Sequence, residues 1–460
     1  MASSQTPLMG VTYLVQTFGC QMNKHDSERV AGMLEALGAE CVSTVEECDI
    51  IVFMTCCVRE KADIRLYGQV DTLKNIPLRE GSPLSKRIVA VGGCIGQRDG
   101  EKLFEEHAHL NVVFGTHNLS SLPGLVVSAM EDGKQHAEIK EESSEFPTDL
   151  PTEREHSWAA WVPITIGCNN FCTYCVVPYV RGREKSRPLE DIVNEAKLCV
   201  AQGVKEITLL GQNVNSYGRD LYGEPRFADV LREVAASGIE RLRFATSHPK
   251  DLTDEVISLF GELDNLMPYL HLPAQSGSNR ILKAMNRNYT VEHYLELIEK
   301  VRAACPGIAL STDLIVGFPG ETEEDFQATL DLVNKVGYNQ VFTFIYSKRE
   351  GTPAAKIVDE TPKEFIQERF DRLVEAVQRN AYEQSQHELG KTVEVLVEGV
   401  SKRDESLIVG KSPKNQTVHA PIEHCRNLND LVGTTVKVHV DEAKTWYLRG
   451  TIVDAANSAV

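Results

Sequence analysis

From residue 11 onward the chain alternates short, continuous apolar runs with longer stretches whose apolar residues recur at helical spacing. Val11–Val15, Ile50–Met54, Arg87–Val91 and Val112–Phe114 read as strands. A helix capped by Asp26 or Ser27 is expected to run through Leu37, and another to span about residues 58–73. Strands that are apolar at every position suit a sheet covered on both faces, so the first part of the chain predicts an open parallel α/β sheet. The alternation resumes with Trp161–Ile166, followed by strand runs at 205–210, 241–245, 268–272, 308–316 and 340–346. Helical patterns at 189–202, 227–236, 254–263, 291–304 and 323–336 separate them. About six strand–helix units are too few for a closed eight-stranded barrel and predict a partial (β/α)6 barrel, open at one side to a large substrate. A long helix at 362–387 leads to short alternating strands at 392–397, 407–410, 417–420, 435–440 and 448–453, the dimensions of a small antiparallel barrel of the kind that often holds RNA. The expected organisation is an N-terminal α/β domain at 11–130, an acidic linker at 131–155, a partial barrel at 156–387 and a small all-β barrel at 388–455.

Composition changes this picture little. The 460 residues, 42% hydrophobic and 25% charged, are ordinary for a globular protein with several cores. No apolar run approaches membrane-spanning length and the first ten residues lack a basic-then-apolar pattern, so no membrane partner is expected. Twelve cysteines scattered over this length fit a reduced cytoplasm, with thiols reserved for metals or chemistry. The formal net charge of −18 argues against a nucleic-acid partner, but the charge is uneven. Residues 131–155 hold nine acids against three bases, whereas Arg181, Arg183, Lys185 and Arg187 follow closely on a cysteine cluster and are candidate phosphate contacts. In the last barrel Lys402, Arg403, Lys411, Lys414 and Arg449, with Trp446 and Tyr447, offer phosphate and stacking contacts.

The cysteines change it more. Cys168, Cys172 and Cys175 lie on one short polar loop at the end of an apolar run. Three thiolates cannot complete a four-ligand zinc site, but they can hold a cubane iron–sulfur cluster and leave one iron open to another ligand. Cys20, Cys56 and Cys94 each follow directly on a predicted strand. Ligands bind outside the carboxyl ends of strands in open α/β sheets, so these three are expected to converge as a second triad. Asp313 interrupts an otherwise buried strand and is expected to meet a ligand or a hydrogen-bond partner.

The stretch Gly167-Cys168-Asn169-Asn170-Phe171-Cys172-Thr173-Tyr174-Cys175 and its continuation through Arg187 resemble the radical S-adenosylmethionine (SAM) methylthiotransferases. Leu209–Tyr217, Thr246–Pro249, His271–Ser278 and Ser311–Glu321 are similar to further motifs of that family, and residues 388–455 resemble a TRAM domain. Thr17–Glu28 is similar to the MiaB-type branch, which acts on isopentenylated tRNA. The sequence departs from the family pattern at Met54 and Cys57. By alignment Cys56 is the ligand and Cys57 a passenger, while Met54 removes a polar group from the neighbourhood of the second triad.

The resemblance implies that Cys168, Cys172 and Cys175 hold a 4Fe-4S cluster whose open iron chelates SAM, and that Cys20, Cys56 and Cys94 hold an auxiliary 4Fe-4S cluster that supplies or carries sulfur. It further implies a 5′-deoxyadenosyl radical from one SAM, a methyl group from a second, and transfer of methylthio to carbon 2 of an isopentenyl-adenosine beside the anticodon of tRNA. Tyr174, Gln212, Asn213, Ser247, Gln275 and Asp313 stand at motif positions that imply SAM contacts. Implied partners besides tRNA are a low-potential electron donor and an iron–sulfur or sulfur delivery protein. Two other readings suit the pattern: methylthiolation of threonylcarbamoyl-adenosine in tRNA or of a ribosomal-protein aspartate, and a non-catalytic iron–sulfur RNA-binding protein.

Overall fold

The computed structural model describes residues 7–57, 60–141, 146, 150–422 and 430–453. The chain divides into two compact units, one built from residues 1–156, 163–171 and 175–187 and the other from 157–162, 172–174 and 188–460. Each is α/β, and the second carries an all-β barrel at its end.

The first unit is organised on six strands: β1 (Thr12–Thr17), β2 (Glu40–Cys41), β3 (Ile50–Thr55), β4 (Ile88–Gly93), β5 (Val112–Phe114) and β6 (His136–Glu138). They pair in the order β2-β1-β3-β4-β5-β6, every pair parallel. β3 is buried throughout because alternate side chains enter two cores. Ile50, Val52 and Met54 pack with Tyr13, Val30 and Leu34, and Ile51 and Phe53 with Leu66, Val70 and Val89. Met54 therefore fills an apolar core, while its carbonyl still accepts a hydrogen bond from the Phe18 N–H at 2.8 Å.

Two expectations are corrected here. Helix α1 (Gln21–Ala36) begins at Cys20, not at Asp26 or Ser27. Asp26 is instead held by Arg181, and the Ser27 hydroxyl bonds Thr17 and the Asn23 carbonyl, so neither side chain is available as a cap. The acidic stretch at 131–155 is not simply a linker. It supplies β6 to the edge of the sheet, and its last residues cross α1, where the Glu153 N–H donates to the Glu28 carbonyl. Gly32 permits this crossing, since a Cβ there would stand 2.6 Å from the Pro151 backbone.

The chain continues through β7 (Ala159–Pro163). A short antiparallel pair, β8 (Thr165–Ile166) with β9 (Lys185–Ser186), then brackets the cysteine loop. In the second unit β7 joins β10 (Glu206–Leu210) and β11 (Arg241–Phe244), and β12 (Tyr269–His271), β13 (Ala309–Val316) and β14 (Gln340–Ile345) form a second three-stranded sheet. A parallel bridge between Leu242 and Leu266 connects the two groups, giving six strands that alternate with helices. The last five strands, β15 (Thr392–Ser401), β16 (Asp404–Lys411), β17 (Thr417–Pro421), β18 (Thr435–Ala443) and β19 (Tyr447–Ile452), close into a barrel over Val395, Ile408, Val418 and Val438. One pair, β17 with β19, is parallel, which a purely antiparallel expectation missed. Buried Arg241 and Arg243 on β11 donate to the carbonyls of Lys411, Ser412 and Pro413, fixing the barrel to the sheet. Among the described residues no helix is long and apolar enough to cross a membrane.

Candidate metal and cofactor centres

The first centre forms where β1, β3 and β4 end. Cys20 caps α1, Cys56 follows β3, and Cys94 opens the helix Cys94–Asp99 after β4. Gly93, at φ +84°, lets β4 end against Thr55, where a Cβ would meet the Thr55 carbonyl oxygen at 2.8 Å. The Thr55 hydroxyl closes this junction, donating to the Gly92 carbonyl at 2.6 Å and accepting from the Ile95 N–H at 3.1 Å. Gly19 brings the chain so near Cys56 that a Cβ would stand 2.8 Å from its Sγ. The three thiols therefore share one volume, with Cys56 and Cys94 buried and Cys20 exposed.

A buried guanidinium completes the group. Arg181 donates to Asn23 Oδ1 at 2.7 Å and Asp26 Oδ2 at 3.0 Å. Asn23 in turn donates to the Phe18 and Thr55 carbonyls, tying the ends of β1 and β3 together. The Cys20 thiol is pushed down to about 5 by its hydrogen bond with Cys56, then by Arg181 and by the N–H groups of Asn23 and Met22 at the start of α1. The Cys94 thiol falls to about 7 through its hydrogen bond with Cys57 and the field of Arg181. Cys57 is driven upward by that same bond and by burial, so it remains a protonated donor beside Cys94. It sits in the core formed by Ile51, Phe53 and Leu66.

The second centre is the loop Cys168–Cys175. Gly167, at φ +73°, allows the loop to turn against the strand that follows, because a Cβ would lie 2.1 Å from the Arg183 carbonyl oxygen. The Cys168 N–H donates to the Gly182 carbonyl, and the exposed Arg183 stacks over the Phe171 ring at 4.4 Å. Further along, the Thr173 N–H and carbonyl bond Met285 and Ala354, and Tyr174 packs on Ile281, Met285 and Phe318. Cys172 is buried and accepts a hydrogen bond from Arg287 Nη1 at 3.6 Å, while Cys168 and Cys175 are half-buried.

The third group lies at the strand ends of the second unit. Asn213 donates through Nδ2 to Asp251, a buried carboxylate that also pairs with Arg219 and Lys250, and this leaves Asn213 Oδ1 buried without a partner. Asn215 accepts the His248 N–H and leaves its Nδ2 unpaired. His248 Nδ1 accepts from the Lys250 N–H, and burial followed by the charge of Arg287 lowers the imidazole to about 2. The ring is thus neutral with its proton on Nε2, which is also buried and unpaired, as is Ser247 Oγ. Leaving such a group unsatisfied costs about 1–3 kcal/mol, so four together are complementary to a ligand carrying both donors and acceptors. Thr246 and Gln275, both at φ +67°, hold the strained backbone common at ligand sites. Gln275 is buried, Gln212 and Asp313 are half-buried, and the Asp313 carboxylate stands 3.7 Å from His271 Nε2.

Sequence reasoning had singled out Asn213 and Ser247 but passed over Asn215 and His248, although both lie inside quoted motifs. It also missed Arg287, which no motif marks. Arg181 and Arg187, read as phosphate contacts, are buried, so neither is presented to a phosphate; Arg181 is drawn inward by Asp26 and the thiols. Lys185 is half-buried. On the last barrel Lys402, Arg403, Arg449, Trp446 and Tyr447 are exposed, whereas Lys411 donates to Thr417 and Lys414 pairs with Glu388.

Among the described residues no three His, Cys, Asp or Glu side chains close on a single metal ion. A cubane has four irons at separated corners and asks for thiolates spread around a volume, which suits both triads. In the first triad the lowered thiols of Cys20 and Cys94 suit it further, since the thiolate is the ligand.

Comparisons with known proteins agree with this architecture. Residues 162–333 match the Radical SAM superfamily, 12–115 the Uncharacterized protein family UPF0004, and 386–453 the TRAM domain. Among solved structures, the radical S-adenosylmethionine methyltransferase TsrM from Kitasatospora setae is similar over 75% of this chain and 77% of its own, with a TM-score of 0.54 and 14% identity, a likeness of fold. The tRNA-2-methylthio-N(6)-dimethylallyladenosine synthase of Acetivibrio thermocellus is 47% identical over 96% of this chain and 91% of its own length. That of Clostridioides difficile is 48% identical over 95% and 91%. With this identity running through all three regions, the chain belongs to the tRNA-2-methylthio-N(6)-dimethylallyladenosine synthase family.

Proposed function

We infer that the protein attaches a methylthio group to carbon 2 of isopentenyl-adenosine next to the anticodon of tRNA. The observation that carries this reading is the pairing, in one chain of this family, of two separate cysteine triads, each beside a buried arginine. Cys168, Cys172 and Cys175 would hold the 4Fe-4S cluster that binds SAM, and Cys20, Cys56 and Cys94 the auxiliary one. When bound, these groups supply one-electron cleavage of SAM, a methyl group from a second SAM, and the sulfur.

The protein's own contribution is to bind and orient. Asn213, Asn215, Ser247 and His248 offer a buried set of one acceptor, two donors and a hydroxyl to the polar end of SAM. Tyr174, Gln212, Gln275 and Asp313 complete the proposed contacts. Exposed Cys20 leaves the auxiliary site reachable from one side. Phosphate contacts are assigned to Arg183 and Lys185, and to Lys402, Arg403 and Arg449 with Trp446 and Tyr447 on the barrel. A low-potential donor would supply electrons, a sulfur or iron–sulfur delivery protein would restore the auxiliary site, and the cytoplasm is the compartment that suits reduced thiols.

Nucleoside analysis of tRNA from a strain lacking the gene tests the reading. Loss of 2-methylthio-isopentenyl-adenosine, with the unthiolated nucleoside accumulating, is expected. An unchanged level would overturn it.

A further inference from the structure

Two arginines far apart in sequence stand in equivalent chemical positions, and the reading above gives neither a task of its own. Arg181 is 5% exposed and Arg287 is 7% exposed, so each brings a full positive charge into the interior. A buried guanidinium is tolerated only when an anion and enough acceptors surround it.

Arg287 meets a carbonyl, a hydroxyl and a sulfur. Its Nη2 donates to the Pro273 carbonyl at 2.9 Å, its Nε to the Tyr289 hydroxyl at 3.2 Å, and its Nη1 to Cys172 Sγ at 3.6 Å. The Tyr289 ring lies 5.1 Å from the guanidinium carbon, and the Tyr289 hydroxyl is itself fixed by the Ala274 carbonyl at 2.7 Å. Its side-chain partners are the Tyr289 hydroxyl and Cys172 Sγ, and among the described residues no carboxylate pairs with it. The sulfur that Arg287 reaches thus belongs to a residue that the reading above makes a cluster ligand.

Arg181 repeats the arrangement in the other triad. It has one carboxylate, Asp26 at 3.0 Å, and its charge also acts on the Cys94 and Cys20 thiols. Its Nη2 also locks Asn23, which holds the ends of β1 and β3. One guanidinium thus touches the side chains that set where two of the three thiols stand.

We propose that Arg181 and Arg287 are positioning residues, one per cluster, Arg287 by donating to a ligand sulfur and Arg181 by locking Asn23 beside its triad, and that each raises the reduction potential of its own cluster. The inference rests on the two-cluster reading. Three thiolates on a 4Fe-4S core leave a net negative charge that grows on reduction, so a buried cation hydrogen-bonded to a ligand sulfur favours the reduced form. Because each arginine reaches a different triad, the two potentials are set separately.

The test uses the full chain, reconstituted anaerobically with iron and sulfide, as wild type and as the Arg181→Gln, Arg181→Lys, Arg287→Gln and Arg287→Lys variants. Iron content and an EPR-monitored redox titration are read for each. Arg181→Gln is expected to lower the potential of the auxiliary cluster, or to lose that cluster alone. Arg287→Gln is expected to do the same to the SAM cluster alone. Each Lys variant, which keeps the charge without the planar fork, should shift its cluster less than the Gln variant. Unchanged potentials in Gln variants that hold both clusters would overturn the proposal and leave the two-cluster reading standing. So would equal shifts of both clusters, or loss of both, in either variant. A wild type that takes up only one cluster would overturn the two together.

Discussion

The strand-end triad and the loop triad each present three cysteine thiols, by opposite means. Cys20, Cys56 and Cys94 are brought together by β1, β3 and β4, and stay together only while those strands keep their register. Cys168, Cys172 and Cys175 need no sheet, since eight residues and one glycine turn set their spacing. A site built from strand ends inherits the stability of a whole core, in which each fully buried aliphatic side chain is worth about 2 kcal/mol. A loop site depends on local backbone geometry and on whatever holds its one buried thiol, here Arg287. The first is robust to changes on its surface and sensitive to packing; the second is the reverse.

The contrast is broken most severely at Gly167. An alanine there must adopt φ +73° and push a methyl group to within 2.1 Å of the Arg183 carbonyl oxygen. Gly167→Ala is expected to abolish the loop cluster and with it 5′-deoxyadenosine formation, while the strand-end triad keeps its iron. Full iron content and undiminished SAM cleavage would show that the loop is more adaptable than its geometry indicates. At the other extreme is Cys57, whose thiol only donates to Cys94 from within the core. Cys57→Ala removes that hydrogen bond at a cost of about 1 kcal/mol and should leave iron content unchanged. Loss of the auxiliary cluster in Cys57→Ala, measured as iron per chain, would exchange the roles of Cys56 and Cys57.

How much of this was legible in the sequence follows from the range of the interactions. The strands were readable because continuous apolar runs have few alternatives, and the gathering of Cys20, Cys56 and Cys94 followed from where strands end. The two faces of β3 were readable as well, since Ile50, Val52 and Met54 alternate with Ile51 and Phe53. The start of α1 was not, because a cysteine cap has no propensity signature, whereas Asp26 and Ser27 resemble caps. Arg181 was misread because its partners Asn23 and Asp26 lie more than 150 residues away, and charge spacing alone cannot tell a buried guanidinium from a solvated one. Arg287 was invisible for the same reason. The unpaired atoms of Asn215 and His248 became evident only once the hydrogen bonds around Asp251 were counted.

Two separable clusters with different tasks are what the two triads are inferred to hold. Iron and sulfide counts, taken with 5′-deoxyadenosine yield, on reconstituted wild type, Cys20→Ala and Cys168→Ala test this most directly. The wild type is expected to hold about eight irons per chain and each variant about four. SAM cleavage should persist in Cys20→Ala and vanish in Cys168→Ala. Loss of all iron from either variant, or about four irons in the wild type, would mean one shared cluster and would rule out two separable ones.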